Sequence, residues 1–151
     1  MEGGYYAETY RSEEVLSADQ LPSRYSGKKS YYTAIYYFLT PETFSALHKL
    51  PTDEIFHFYL GAPVQMLNLF EDGTSETIIL GQDILQEQQL QYRVPKNTWQ
   101  GSRLIPGGNF ALMGTTMAPG FDFEDFISAD RKALSDRYPE CRNMIRELTT
   151  L

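Results

Sequence analysis

The chain has 151 residues, of which 42% are hydrophobic and 14% aromatic, and its formal net charge is -7 at pH 7. This composition is typical of one folded domain, which we assign to residues 1–151. The negative charge argues against nonspecific nucleic-acid binding, which requires Lys and Arg to replace phosphate counterions. No apolar run could span a membrane, no secretion signal is visible, and the single cysteine excludes an internal disulfide. We therefore expect a cytoplasmic protein without a membrane partner.

Alternation of apolar and polar residues predicts short β-strands that are separated by Gly, Pro and Asp turns. The first strand covers residues 5–11. One face of it carries alternate residues: Tyr6, Glu8 and Tyr10. Residues 12–30 are polar, so we interpret them as a mobile loop without a catalytic role. Residues 31–39 are almost wholly aromatic, apolar or β-branched, which predicts a strand that is buried on both faces.

The stretch 44–61, FSALHKLPTDEIFHFYLG, holds both histidines and predicts two strands joined by a turn at Pro51. Alternation places four residues of the first strand on one face: Phe44, Ala46, His48 and Leu50. Three residues of the second strand share a face: Glu54, Phe56 and Phe58. His57 alternates away from Glu54, so we expect it on the outer side of the sheet. An imidazole and a carboxylate that point inward among aromatic rings indicate a pocket inside a barrel.

Further strands are predicted after this stretch, and turn residues again separate them. Their ranges are 64–70, 76–80, 90–94, 98–104 and 110–117. About nine short strands at hairpin spacing indicate an antiparallel sandwich or barrel, here covering about residues 5–127. The C-terminal part, about residues 129–148, predicts two helices. Ser128 or Asp130 is available to cap the first helix, Pro139 could begin the second, and Cys141 is expected to pack as a small apolar residue.

Three residues of the central stretch keep a fixed spacing: His48, Glu54 and Gly61. They match the first His, the Glu and the last Gly of the pattern G(X)5HXH(X)3-4E(X)6G. Farther along, Pro95 matches the start of a second pattern, PXG(X)2H, where Asn97 stands at the Gly and Gln100 at the His. These patterns are the two motifs of the cupin superfamily, which the sequence therefore resembles.

Within that superfamily the sequence is similar to the cupin-5 family, or DUF985, a group of small uncharacterised proteins. Five segments carry the resemblance over nearly the whole chain: EGGYYAETYRS, SALHKLPTDEIFHFYLG, VPKNTWQGSRL, GTTMAPGFDFEDF and YPECRNMIRELT. The resemblance implies an all-β double-stranded β-helix, or jelly-roll barrel, and a homodimer, without a firmly established activity. Relatives usually carry a short helix ahead of the EGGYY segment, and this sequence is expected to lack it.

The resemblance also implies where a metal would bind. Cupin metals sit on two histidines and a glutamate of the first motif and on a histidine of the second. Leu50 replaces the second His and Gln100 replaces the last, which leaves His48, Glu54 and Gln100 as the candidate ligands. Zinc and ferrous iron prefer more nitrogen or sulfur donors, so we expect no cofactor, although Mn²⁺ or Mg²⁺ could bind weakly with the help of waters.

Three functions remain open. The first is a metal-independent, isomerase- or epimerase-like enzyme that acts on a small polar, sugar-like molecule. In it His48 would be the general base, Glu54 its orienter or the acid, and Gln100 a hydrogen-bond donor to the substrate. The second is a non-catalytic, small-molecule-binding or storage-like cupin in which His48 and Glu54 form a structural ion pair. The third is a metal-dependent enzyme with a degenerate site.

Further substrate-binding candidates lie beside these residues: Tyr6, Glu8, Arg11, Phe56 and Phe58. Residues of the first strand are expected to close the mouth of the barrel. Arg11 has the geometry to bind a carboxylate or phosphate, or it pairs with Glu8 at the surface. Neighbours on a strand point in opposite directions, so Gln100 is expected to face the pocket and Trp99 to pack outside it.

Overall fold

The computed structural model describes residues 3–150, and twelve β-strands and two short α-helices lie within that range. In chain order the elements are β1 (Tyr5–Arg11), β2 (Val15–Leu16), β3 (Lys29–Ser30), β4 (Thr33–Leu39), β5 (Ser45–Lys49), β6 (Glu54–Gly61), β7 (Val64–Leu69), β8 (Ser75–Leu80), β9 (Gln91–Val94), β10 (Trp99–Leu104), β11 (Ala111–Met117), β12 (Ile127–Ser128), α1 (Arg131–Arg137) and α2 (Arg142–Glu147). The strands that the sequence did not predict are β2, β3 and β12, which have two residues each. In the part of the chain described, no helix is long and apolar enough to cross a membrane.

Ten of the strands form two antiparallel sheets that pack face to face. The first sheet has the order β1-β4-β11-β6-β9 and the second has the order β12-β5-β10-β7-β8. Between them lies a core of buried side chains: Tyr37, Leu39, Phe56, Phe58, Val64, Met66, Ile78, Leu80, Val94, Leu104, Ala111 and Met113. The predicted β-sandwich with short C-terminal helices is confirmed.

The C-terminal helices cover the outer face of the second sheet. Their apolar residues pack with three leucines of β5 and β7 in one buried cluster: Leu47, Leu67, Leu69, Leu134, Tyr138, Ile145 and Leu148. Asp130 caps α1, as predicted, because its Oδ1 accepts a hydrogen bond of 2.7 Å from the Ala133 N–H. Pro139 begins a 3-10 turn that precedes α2, and Cys141 packs against the cluster.

A β-bulge changes which residues of β1 face inward. Glu8 pairs with Ile35 and Tyr10 pairs with Ala34, so Thr9 is an extra residue in β1. Tyr10 therefore faces outward, and the prediction that it shares a face with Glu8 is wrong. The same bulge turns Arg11 inward, onto the face that carries Glu8.

A second bulge lies in β5, between Ser45 and His48. His48 and Leu50 still face the interior, as predicted. Phe44 instead packs against the cluster under the C-terminal helices, so the prediction that it shares a face with His48 is wrong. The bulge also places the Ala46 carbonyl oxygen within 2.8 Å of the His48 ring, a contact that matters for the site described below.

Residues 12–30 contain more structure than a plain loop, so that prediction is wrong. β2 and β3 pair with each other, and a 3-10 turn covers Ala18–Gln20. Tyr25 and Lys29 are buried, at 6% and 2% exposure. The Lys29 ammonium contacts two carboxylates that lie 95 and 96 positions farther along the chain, on Glu124 and Asp125.

The outer face of the first sheet is exposed and aromatic. Tyr36 is 51% exposed, so the prediction that this strand is buried on both faces is wrong. The Tyr36 ring meets the Tyr59 ring edge to face, with centroids 6.0 Å apart. Tyr59 in turn lies over Gly114, where a Cβ would come within 2.5 Å of the tyrosine hydroxyl. His57 lies on this outer face, as predicted, and its partial burial lowers the pKa of its imidazole.

Candidate functional site

A cavity of about 260 Å³ opens between the two sheets at one end of the sandwich. Residues of β1, β4, β5, β6 and β11 and the segment after β11 form its walls. Five of the lining side chains are apolar: Ile35, Leu50, Met117, Phe121 and Phe123. Its polar groups are those of Tyr6, Glu8, Arg11, Thr33, His48, Glu54 and Thr115. Most of the exposed wall area is nevertheless apolar, and the polar groups occupy defined positions in it, as is usual for small-molecule sites.

His48 and Glu54 are buried at this cavity, at 1% and 7% exposure, and they come from opposite sheets. Gln100 joins them. Its Nε2 lies 2.9 Å from His48 Nε2 and 3.2 Å from Glu54 Oε2. One side-chain amide therefore donates to an imidazole in its own sheet and to a carboxylate in the facing sheet.

The contacts of His48 define the position of its ring proton. Nδ1 lies 2.8 Å from the Ala46 carbonyl oxygen, which can only accept, so Nδ1 carries a hydrogen. The Gln100 amide nitrogen can only donate, so Nε2 accepts and carries none. These two contacts fit the Nδ1–H tautomer of His48. The Phe126 ring stacks on the imidazole, with centroids 4.7 Å apart and planes inclined by 23°.

Gln100 faces inward, as predicted, but it does not line the 260 Å³ cavity. Together with His48 and Glu54 it borders a second, much smaller space of about 10 Å³. Since its NH₂ group donates to both of those residues, donation of a hydrogen bond to substrate would require one of them to give up its own. The position of Gln100 therefore suits a residue that orients His48 and Glu54.

Phe56 and Phe58 are 1% and 5% exposed and belong to the core between the sheets. They share a face with Glu54, as predicted, but neither lines the cavity. We predicted that Phe56 and Phe58 contact the substrate, and their location in the core does not support that prediction. Trp99 points away from the interior and packs against the cluster under the C-terminal helices, as expected for a neighbour of Gln100.

Tyr6, Glu8 and Arg11 lie at the cavity, on the strand predicted to close the barrel. Arg11 Nε and Nη2 donate to the Glu8 carboxylate at 3.0 and 2.7 Å, and Nη1 donates to the Phe121 carbonyl oxygen at 3.1 Å. The hydrogen bond to Glu8 raises the pKa of the Arg11 guanidinium. Of the two interpretations of Arg11, the structure contains the ion pair with Glu8. A substrate anion would have to compete with the Glu8 carboxylate for Arg11.

Residues 118–128, which we name the cover segment, were not predicted to belong to the site. This segment brings Phe121 and Phe123 to the cavity and Phe126 to His48. The alternation of aromatic and acidic residues in its sequence FDFEDF is the signal that could have identified it.

Lys29 holds the cover segment in place. Its side chain is 0% exposed, and its Nζ lies 2.6 Å from Glu124 Oε1 and 2.9 Å from Asp125 Oδ2. Burial alone would lower the pKa of this ammonium, but its hydrogen bonds to Glu124 and Asp125 outweigh burial and raise the pKa. Lys29 is therefore a buried cation that depends on two carboxylates of the cover segment.

The two-sheet fold and the motif spacing agree with one family. The model of the Cupin_5 family, described as Cupin superfamily (DUF985), matches residues 1–129. The chain belongs to this family.

Three other proteins resemble this chain over most of its length. An uncharacterised protein of Saccharomyces cerevisiae is 31% identical over 133 residues, which cover 82% of this chain but only 66% of that protein. A hypothetical protein from Leishmania major matches with 27% identity and a TM-score of 0.87, covering 99% of this chain and 91% of the other. A protein from Shewanella oneidensis matches with 30% identity and a TM-score of 0.85, over 99% of this chain and 88% of the other. The names of these relatives state no activity.

The donor atoms of this cupin do not fit a cupin metal. Within residues 3–150 no three His, Cys, Asp or Glu side chains lie together in a way that could hold an ion. Both ring nitrogens of His48 have protein partners, and Gln100 turns its NH₂ group, which cannot ligate a metal, toward His48 and Glu54. Leu50 lines the cavity where the motif would have a second His.

We predict that the two histidines have opposite tautomers near neutral pH. His48 carries its proton on Nδ1. His57 carries it on Nε2, because Gln91 Nε2 donates to His57 Nδ1 at 3.2 Å and the Thr116 hydroxyl is 3.1 Å from His57 Nε2. Two-bond ¹H–¹⁵N correlation spectra of the imidazoles distinguish the two forms. Substitution Gln100→Leu should shift only His48 toward a mixture of tautomers, and identical tautomers for both residues would contradict the contacts described.

We predict that Lys29→Met lowers the free energy of unfolding by about 3 kcal/mol, because it leaves the buried Asp125 carboxylate without its cation. Urea unfolding measures this loss. Lys132→Met is the matched control, since the Lys132 side chain is 87% exposed and its pair with Asp136 lies at the surface. Equal losses in the two variants would show that the Lys29 contacts contribute no more than a surface pair.

Proposed function

We propose that this cupin is a metal-independent enzyme that transfers a proton, as isomerases and epimerases do, on a small polar molecule. The observation that carries the proposal is the buried contact of Gln100 with both His48 and Glu54 beside a largely apolar cavity. Buried ionisable groups that are oriented by a third residue are frequent at sites of proton transfer. The apolar walls would exclude water and protect a reactive intermediate.

The contacts favour Glu54 as the group that removes the proton. Both ring nitrogens of His48 already have protein partners, and Glu54 lines the cavity. In the proposed step a C–H bond next to a substrate carbonyl breaks, its proton moves to a Glu54 oxygen, and its electron pair forms an enol or enolate. Return of the proton to the opposite face, or to the neighbouring carbon, completes epimerisation or isomerisation. Gln100 and His48 would orient the carboxylate.

The test is exchange of substrate hydrogen with solvent. The protein is incubated in D₂O with a panel of aldoses, ketoses, 2-hydroxy acids and amino acids, and proton NMR follows loss of the signal next to the carbonyl. We expect saturable exchange with at least one class, and Glu54→Gln should slow it roughly a hundredfold or more, the contribution of a positioned acid or base. Glu71→Gln, in the exposed turn after β7, removes a carboxylate that does not line the cavity and should leave the rate unchanged.

Two results would overturn this proposal. Exchange that survives Glu54→Gln in a folded variant would remove Glu54 from the reaction. Exchange that requires added Mn²⁺ and stops with a chelator would favour the metal-dependent alternative instead.

A second candidate function is a non-catalytic small-molecule binder. It is favoured by the internal hydrogen bonds of His48 and of the Gln100 NH₂ group, which are made without a substrate. Saturable binding of a panel member without any hydrogen exchange would support this function over the first.

We also propose that two copies of this cupin associate through the outer face of the first sheet. That face carries exposed aromatic side chains, among them Tyr5, Tyr36 and Phe110 at 61%, 51% and 40% exposure. The second sheet is covered by α1 and α2, whereas within residues 3–150 no helix packs on the first. An exposed apolar patch of this kind is typical of an association surface.

We predict a mass of twice the 17.3 kDa chain in sedimentation equilibrium. Tyr36→Glu should reduce it to that of the monomer, since it places a charge in the middle of the aromatic face. Leu85→Glu is the control, because Leu85 is 88% exposed in the loop between β8 and β9. A monomeric wild-type protein would contradict the proposed interface.

A further inference from the structure

The cover segment is attached firmly at both of its ends. Near its start the Gly120 N–H donates to the Ser30 carbonyl oxygen at 2.8 Å, and the Phe121 N–H donates to Thr33 Oγ1 at 2.9 Å. A Cβ at Gly120 would come within 2.7 Å of Thr33 Cγ2, so the chain passes close against β4 there. At its other end β12 pairs with β5. Hydrogen bonds of the backbone therefore fix both ends to the sandwich.

The middle of the cover segment, residues 122–126, which we name the lid, is bonded mainly to itself. The Asp125 N–H donates to the Asp122 carbonyl oxygen at 3.1 Å. The Phe126 N–H donates to the Phe123 carbonyl oxygen at 3.2 Å, so the lid forms one compact 3-10 turn. Phe123 lines the cavity and is nevertheless 68% exposed. A single layer of side chains therefore separates the cavity from water at this residue.

Side chains make the contacts that hold the lid down. The Lys29 ammonium lies 2.6 Å from Glu124 Oε1 and 2.9 Å from Asp125 Oδ2. The Phe126 ring stacks on the His48 ring. Neither Glu124 nor Phe126 lines the cavity, so these contacts fix the position of the lid without forming a wall of the site. A segment that is held by a few side chains and is exposed on its outer side opens at a lower cost than the core does.

We propose that the lid opens and closes over the cavity while both ends of the cover segment stay attached, and that Lys29 is its latch. Opening breaks the two ion pairs and the ring stack, but water then solvates the ammonium and both carboxylates. Closing places the Phe123 ring against the contents of the cavity, so a ligand that contacts this ring favours the closed state. The lid controls entry to the cavity in an enzyme and in a binder alike.

Two methionines of β11 distinguish opening of the lid from unfolding of the whole chain. Met117 lines the cavity and is 5% exposed. Met113 lies on the same face of the same strand, but in the core between the sheets, and is 0% exposed. Hydrogen peroxide converts an accessible methionine to its sulfoxide. Global unfolding exposes both methionines to peroxide, whereas opening of the lid exposes only Met117.

The test measures the oxidation rate of each methionine in the full chain at neutral pH, by mass spectrometry of peptides after exposure to hydrogen peroxide. In the wild type we expect Met117 to react at least about tenfold faster than Met113. Glu124→Gln removes one of the two carboxylates that hold Lys29. It should raise the Met117 rate about fivefold and change the Met113 rate by less than about twofold. Glu71→Gln makes the same change in net charge in the exposed turn after β7 and should leave both rates unchanged.

A second variant loosens the lid through its other contact. Phe126→Ala removes the ring that stacks on His48, and it changes neither a charge nor a residue that lines the cavity. It should also raise the Met117 rate relative to the Met113 rate. Because this variant leaves the Lys29 ion pairs in place, it tests the lid independently of its latch.

Three results would overturn the inference. Equally slow oxidation of both methionines in the wild type would show that the lid opens only when the whole chain unfolds. A Met117 rate that stays unchanged in either variant would show that peroxide reaches this residue without movement of the lid. Equal acceleration of Met113 and Met117 in the variants would show that the contacts stabilise the whole fold. No substrate enters this experiment, so its failure leaves the hydrogen-exchange test of the proposed reaction untouched.

Discussion

The Gln100 amide connects the two sheets of this cupin by donating to His48 in one and to Glu54 in the other. Burial of an imidazole and a carboxylate costs several kcal/mol unless each group has hydrogen-bond partners. The sandwich meets this condition through one amide and one backbone carbonyl, that of Ala46. The bulge in β5 places the Ala46 carbonyl oxygen beside His48, and β10 points the Gln100 side chain inward. The local geometry of these two strands therefore provides the hydrogen-bond partners that the buried polar groups require.

The same requirement extends to the cover segment. Phe126 shields one face of the His48 ring, and the segment that carries it depends on Lys29, whose own charge is buried. Electrostatic interactions strengthen as water is excluded, so the cover segment increases the influence of Glu54 on any ligand. The cavity, the cover segment and the β2–β3 hairpin are therefore parts of one arrangement, although they lie far apart in the sequence.

The strands, the N-cap at Asp130 and the inward position of His48 could be predicted, because they depend on local periodicity and on motif spacing. The faces of Tyr10 and Phe44 could not, since a bulge adds one residue and reverses the alternation beyond it. The role of Lys29 could not be predicted either, because its partner Glu124 is 95 residues away. Phe56 shares a face with Glu54, but the cavity occupies one end of the sandwich, so farther along the strand that face belongs to the core.

The order of the strands has a consequence for synthesis of the chain on the ribosome. β11 is the central strand of the first sheet and β10 is the central strand of the second, yet they are among the last strands to be made. β4 and β6 both pair with β11, so the edges that face it stay unpaired until residue 117 has been synthesised. β5 and β7 both pair with β10, so their facing edges stay unpaired until residue 104 has been synthesised. Unpaired strand edges readily pair with other chains. The nascent chain therefore keeps unpaired strand edges during most of its translation, and each sheet gains its central strand only within residues 99–117.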